Sequence, residues 1–192
     1  MDRAAEAIRE SIELKRRVLD DRALMAELAL ATEAIIKTLR AGGKVLLCGN
    51  GGSAADAQHL AAEFSGRFYF DRPPLFAEAL HVNTSYLTAV ANDYSFDEVF
   101  ARQVRAKGAR GDVLVGLSTS GNSPNVLRAL DEARDLGMTT VGLAGEGGGK
   151  MKGRCDHLMA VPSKDTPRIQ EVHITLGHVI CELVEAALFE RK

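Results

Sequence analysis

The 192-residue chain has three cysteines, Cys48, Cys155 and Cys181, too far apart for a C-x-x-C pair. That absence excludes a zinc ribbon and a dithiol redox motif. No stretch reaches the roughly 18 to 20 apolar residues of a membrane span. The opening Met1-Asp2-Arg3-Ala4-Ala5-Glu6 reads as a charged helix without a secretory apolar core. A cytoplasmic, reduced protein away from membranes is expected. There is no basic surplus either: 24 Lys and Arg face 26 Asp and Glu, a net charge of -2. Phosphate-gripping nucleic-acid binders usually carry one, so nucleic acid is not an expected partner. No G-x-x-x-x-G-K-[ST] occurs, so a nucleoside triphosphate is not indicated. Low-complexity linkers and internal repeats are missing too, which leaves one domain over 1–192.

What is present alternates. Two helical patterns come first, through Ile8, Ile12, Leu14, Val18 and Leu19, then Leu24, Leu28, Ala31, Ile35 and Leu39 after Asp20-Asp21. Ala41-Gly42-Gly43 stops the second, making 1–41 a helical pair and 42–192 the core. Five apolar strands are expected at Val45–Cys48, Phe76–Val82, Val113–Leu117, Thr139–Ala144 and His157–Val161. Helices are expected at Ala54–Phe64, Ser85–Ala91, Pro124–Leu136 and Pro167–Phe189, the last with Ile169, Val172, Leu176, Val179, Leu183 and Ala187 along its core. Uniformly apolar strands separated by helices predict an α/β sandwich, a parallel sheet covered on both faces. The apolar first helix then needs a partner, and a second copy of the chain would supply one.

Two loops carry chemistry. Gly49-Asn50-Gly51-Gly52-Ser53-Ala54 joins a strand to a helix, where glycines admit an anion to free N–H groups. It lacks the third glycine of a dinucleotide fingerprint. Ser118-Thr119-Ser120-Gly121-Asn122-Ser123-Pro124 has the same setting, with hydroxyls and a helix N-terminus suited to a phosphate monoester. His59 and Glu63 share one helix face by their spacing of four. Gln170 and His178 lie about 12 Å apart along the last helix; a histidine there suits a core hydrogen bond as well as a ligand.

Together, Gly49 to His59, Ser118 to Ser123 and Arg168-Ile169-Gln170-Glu171-Val172-His173 resemble sugar-isomerase (SIS) domains, and most closely the phosphoheptose isomerase family, over essentially the whole chain. The resemblance implies a flavodoxin-like three-layer fold with a five-stranded parallel sheet and two N-terminal helices. It also implies a homotetramer with active sites at subunit interfaces and one zinc ion per subunit. Zinc would be held by His59, Glu63, Gln170 and His178. A sugar phosphate would meet Asn50, Gly51, Gly52, Ser53, Glu63, Asn92, Asp93, Ser118, Thr119, Ser120, Ser123 and Gln170. Glu63 and His178 would be the catalytic pair, isomerising sedoheptulose 7-phosphate to D-glycero-D-manno-heptose 7-phosphate for lipopolysaccharide. Where some relatives carry an acid, this chain has Pro167, and no role is transferred there. Rival readings within the fold are a non-catalytic SIS protein that binds the replication initiator and an isomerase of another ketose phosphate. The acid at Glu63 and the Arg168–Glu171 segment favour the heptose branch. Because Gln170 and His178 are two turns apart, a site shared between subunits is expected, one of the two meeting His59 and Glu63 of a neighbour.

Overall fold

A computed structural model describes residues 2–189. Helices α1 (Asp2–Asp20) and α2 (Arg22–Arg40) meet at Asp21, whose carboxylate accepts the N–H groups of Ala23 and Leu24 and caps α2. There follow β1 (Val45–Gly49), α3 (Gly52–Ser65), β2 (Ala77–Ala79), α4 (Thr84–Asp93), α5 (Val99–Lys107), β3 (Val113–Ser118), α6 (Pro124–Asp135), β4 (Thr139–Ala144), β5 (His157–Ala160) and α7 (Thr166–Leu188). All strand pairs are parallel, in the order β2-β1-β3-β4-β5. The doubly wound α/β sandwich expected from the sequence is therefore the fold.

Alternation along the strands makes two cores. Val45, Leu47, Val113, Val115, Leu117, Val141, Leu143 and Met159 face α2, α3 and α7. Leu46, Cys48, Leu114 and Ala144 face the other way, against Val90, Phe100, Val104 and Leu130. Helix α2 is a full member of its layer, packed on β5, β1 and β3, and only α1 lies outside it. No described helix is long and apolar enough to cross a membrane. The three thiols are free, and burial pushes each up to about 12.

Three expectations about elements need correction. The second strand shrinks from Phe76–Val82 to three residues, because β2 is an edge strand paired only with Val45–Leu47 of β1. Helix α5 was not anticipated, although Ser95 and Glu98 stand at capping-box spacing before its apolar run. In α7 the core face runs through Ile169, Val172, His173, Leu176, Ile180, Cys181 and Val184, while Leu183 and Ala187 point outward. That helix is apolar almost all round, so periodicity alone could not choose its inner face.

His173 is wholly buried, with Nε2 3.1 Å from the Ala144 carbonyl and Nδ1 without a partner among the described residues. Burial lowers its pKa to about 4, against the opposing pull of the Ala144 carbonyl. The folded pKa lies below the unfolded value near 6.5, so the unfolded chain takes up the proton first. Stability is then complete above about pH 6.5 and falls as pH drops toward 4, by about 3 kcal/mol in all. Urea midpoints from pH 7 to 4.5 check this. His173→Gln should flatten the slope, and an unchanged slope in that variant would remove His173 as its source.

Candidate active site

Strand order reverses between β1 and β3, since the chain moves from β1 outward to β2 and returns to β3 on the other side. In an open parallel sheet this switch point opens a crevice beyond the carboxyl ends of the strands. The loop after β1 carries Asn50, Gly51 and Gly52; the loop after β3 carries Thr119 to Ser123. Both chemistry-bearing loops thus border one crevice. A reciprocal amide pair spans it: Asn50 Nδ2 donates to Asn125 Oδ1 and Asn125 Nδ2 to Asn50 Oδ1, each at 2.9 Å. Asn125 was missed in the sequence, where it reads as an ordinary second residue of α6.

In the serine loop, Ser118 Oγ lies 3.0 Å from Ser123 Oγ and 3.4 Å from Ser120 Oγ. Ser123 is the cap residue of α6, yet its hydroxyl turns to Ser118 rather than to the helix. Three hydroxyls that satisfy one another, beside a helix N-terminus, can redirect their protons to an anion at little cost. Asn122 braces this loop, donating to the Ser120 carbonyl at 2.8 Å and accepting the Lys150 N–H at 3.0 Å. Thr119 is half-buried and its carbonyl accepts the Gly145 N–H.

The second half of the site is built on α3 and α7. Gly177 has no side chain, and a Cβ there would lie 2.6 Å from Leu60. This lets α7 close on α3 and brings His178 beside His59, with their Nε2 atoms 2.9 Å apart. His59 Nε2 is 3.3 Å from Glu63 Oε1. One ligand atom from each of His59, Glu63 and His178 lies within 4.8 Å of the other two. Tetrahedral zinc with N and O donors at about 2.1 Å separates its ligand atoms by roughly 3.4 Å. The donor set and its spacing fit a metal ion of that kind.

These three residues come from one chain, so of the two α7 residues expected to reach a neighbour's His59 and Glu63, His178 meets those of its own chain instead. Gln170 rests on Gly52 of its own chain, its Nε2 only 2.4 Å from where a Cβ on Gly52 would be. Gly52 and His59 are seven residues apart on α3, about 10 Å of rise, so Gln170, at the level of Gly52, stands away from the His59, Glu63 and His178 group of its own chain.

The remaining residues lie differently. Ser53 is buried in the first turn of α3, and Gly51 occupies the cap position. Asn92 and Asp93 end α4, exposed, and hydrogen-bond to each other at 2.9 Å. Asp56, one turn before His59, was passed over in the sequence. Burial raises its pKa, the nearby His59 and His178 act to lower it, and its Oδ2 has no partner among the described residues.

Residues 6–145 match the SIS domain family model, and the chain belongs to that family. The match to particular relatives is closer than a shared domain. The chain is 51% identical over 185 residues to the phosphoheptose isomerase of Clostridium acetobutylicum, covering 96% of this chain and 94% of that one. Against the phosphoheptose isomerase of Burkholderia pseudomallei it is 53% identical over 186 residues, covering 97% and 94%. The solved phosphoheptose isomerase of Neisseria gonorrhoeae superposes with a TM-score of 0.90 at 46% identity, over 96% of this chain and 98% of that one. Within the SIS domains the chain is thus a member of the phosphoheptose isomerase family, an aldose–ketose isomerase.

Proposed function

We propose that the chain interconverts sedoheptulose 7-phosphate and D-glycero-D-manno-heptose 7-phosphate, supplying heptose for lipopolysaccharide synthesis in the cytoplasm. The observation that carries this reading is the convergence of His59, Glu63 and His178 on α3 and α7 in a chain that also sets a hydroxyl-lined loop at the sheet switch point. The serine loop and the N-terminus of α6 hold the C7 phosphate, and this remote anchor orients the reacting end of the sugar. Asn50, Gly51, Gly52, Asn92 and Asp93 complete the substrate contacts. Glu63 takes the carbon-bound proton at one of C1 and C2 and returns it at the other through an enediolate. His178 moves the proton between the two oxygens. His59, Glu63 and His178 would hold one zinc ion, and because Gln170 of the same chain lies at the level of Gly52, the fourth ligand would be Gln170 of a neighbouring subunit. Bound zinc supplies polarisation of the substrate carbonyl.

We further propose a homotetramer. Its support is the apolar surface left outside both cores: Ile8, Ile12 and Leu19 on α1 and Leu183 on α7 are all exposed. Incubating purified protein with sedoheptulose 7-phosphate and assaying aldoheptose phosphate tests the activity, and no product in zinc-supplemented buffer would refute it. Ser120→Ala and Ser123→Ala should each weaken sugar-phosphate binding by about 1 to 2 kcal/mol, with inorganic phosphate competing against substrate. Equally tight binding of a non-phosphorylated heptulose would remove the serine loop as the anchor.

A further inference from the structure

Arg72 and Glu185 make an ion pair whose side chains are 2% and 1% exposed, with Nε 3.0 Å from Oε1. Burying two charges costs desolvation that the pair's own attraction often fails to recover, so its net contribution to stability is small or negative. What the pair does fix is geometry. Arg72 Nη2 donates to the carbonyl of Glu63 at 2.8 Å, and Nη1 to those of Phe64, Gly66 and Pro73 at 2.7, 3.2 and 3.1 Å. The Glu63 and Phe64 carbonyls belong to the last turn of α3, where a helix leaves its acceptors unpaired. The guanidinium therefore caps the turn that carries Glu63, with its positive charge at the favourable end of the helix.

Glu185 does the complementary work from α7. Its Oε1 accepts the Phe68 N–H at 2.9 Å and its Oε2 the Tyr69 N–H at 2.8 Å. Burial works to raise its pKa, but those two N–H groups and Arg72 outweigh it and hold the carboxyl below its usual range. Glu185 stands seven residues, two turns, beyond His178 on the same helix. Phe68, held by its amide, sets its ring 5.7 Å from the His178 ring and packs edge-on against Tyr69. One buried pair thus ties the turn bearing Glu63 to the helix bearing His178, and lays an aromatic wall against the imidazole.

We infer that Arg72 and Glu185 are positioning residues for the metal centre: together they set the separation of Glu63 from His178 and the orientation of Phe68 beside it. This rests on the zinc reading given above. The test titrates Zn(II) alone, by chelator competition, into metal-stripped wild type, Arg72→Lys and the apolar double variant Arg72→Met/Glu185→Leu. Lysine keeps the charge but, as a point donor, cannot serve the Glu63, Phe64 and Gly66 carbonyls together. Folding is followed by circular dichroism. Zinc affinity should fall at least tenfold in each folded variant, and kcat should fall with it. KM for the sugar phosphate should stay within threefold, because the serine loop is built on β3 and α6. Wild type that binds no zinc refutes the metal reading. Wild type that binds zinc, beside folded variants within twofold of it, overturns the positioning role. If neither variant folds, hydrogen exchange on the wild type decides, because coupling between two sites is reciprocal. Saturating zinc should slow exchange of the Phe68 and Tyr69 amides at least fivefold. Unchanged exchange in protein that binds zinc overturns the inference.

Discussion

Glu63→Gln is expected to lower kcat at least a thousandfold, about 4 kcal/mol of barrier, without unfolding the chain. The amide has the shape of the carboxylate, and the main-chain carbonyl of residue 63 keeps its bond to Arg72. What it loses is the capacity to accept a proton, and a general base supplies about a hundred- to ten-thousandfold in rate. Glu63 is half-buried with Oε1 beside His59, a setting that keeps it within reach of substrate and metal alike. The two roles compete, since a carboxylate bound to zinc is a weaker base. Measuring zinc affinity beside turnover separates them. Loss of turnover with zinc retained assigns the base; loss of both together assigns the ligand. Turnover within tenfold of wild type, with an unchanged melting temperature, would end both assignments.

How much of this was legible in the sequence follows from which interactions leave a local trace. Strands β1, β3 and β4 are buried on both faces, so each is written as a short apolar run. The edge strand β2 has a partner on one side only, and its sequence promised more than its pairing delivers. Loops at strand ends announce themselves by glycine and hydroxyl content, which is why Asn50 to Gly52 and Ser118 to Ser123 could be named. His59 and Glu63 were paired by helical spacing.

Contacts between elements leave no such trace. That His178 meets His59 in the same chain depends on Gly177 admitting Leu60, a fact about helix packing. The Asn50–Asn125 clasp joins residues 75 positions apart, and Arg72 with Glu185 joins residues 113 apart. The expectation that left His178 free to meet a neighbour's His59 and Glu63 missed for the same reason: the approach of α7 to α3 within one chain is not written in the spacing of either helix.

The serine loop owes its shape to its contact with the glycine loop after β4, so Gly121→Ala is expected to be the most damaging single-methyl change in the site. Gly121 has φ +65, and a Cβ on it would stand 2.2 Å from the Gly148 carbonyl oxygen and 3.0 Å from the Gly149 nitrogen. These are backbone atoms and cannot rotate aside. Gly149 meets the Ser120 carbonyl in the same manner, at 2.5 Å, and the Met151 N–H is bound to the Gly121 carbonyl at 3.0 Å. Alanine must adopt left-handed backbone, at about 1 to 2 kcal/mol. It must also part the loops, losing hydrogen bonds of about 1 kcal/mol each. A total near 3 kcal/mol lowers the melting temperature by about 6 to 12 °C. Moving Ser120 should also raise KM for the sugar phosphate at least tenfold. Gly147→Ala is the control: its φ is +75, yet nothing lies within 4 Å of the added methyl. It bears the backbone strain alone, about 1 to 2 kcal/mol, with KM unchanged. If Gly121→Ala proved no worse than Gly147→Ala in both melting temperature and KM, the close packing of the two loops would not be what holds the phosphate site in shape.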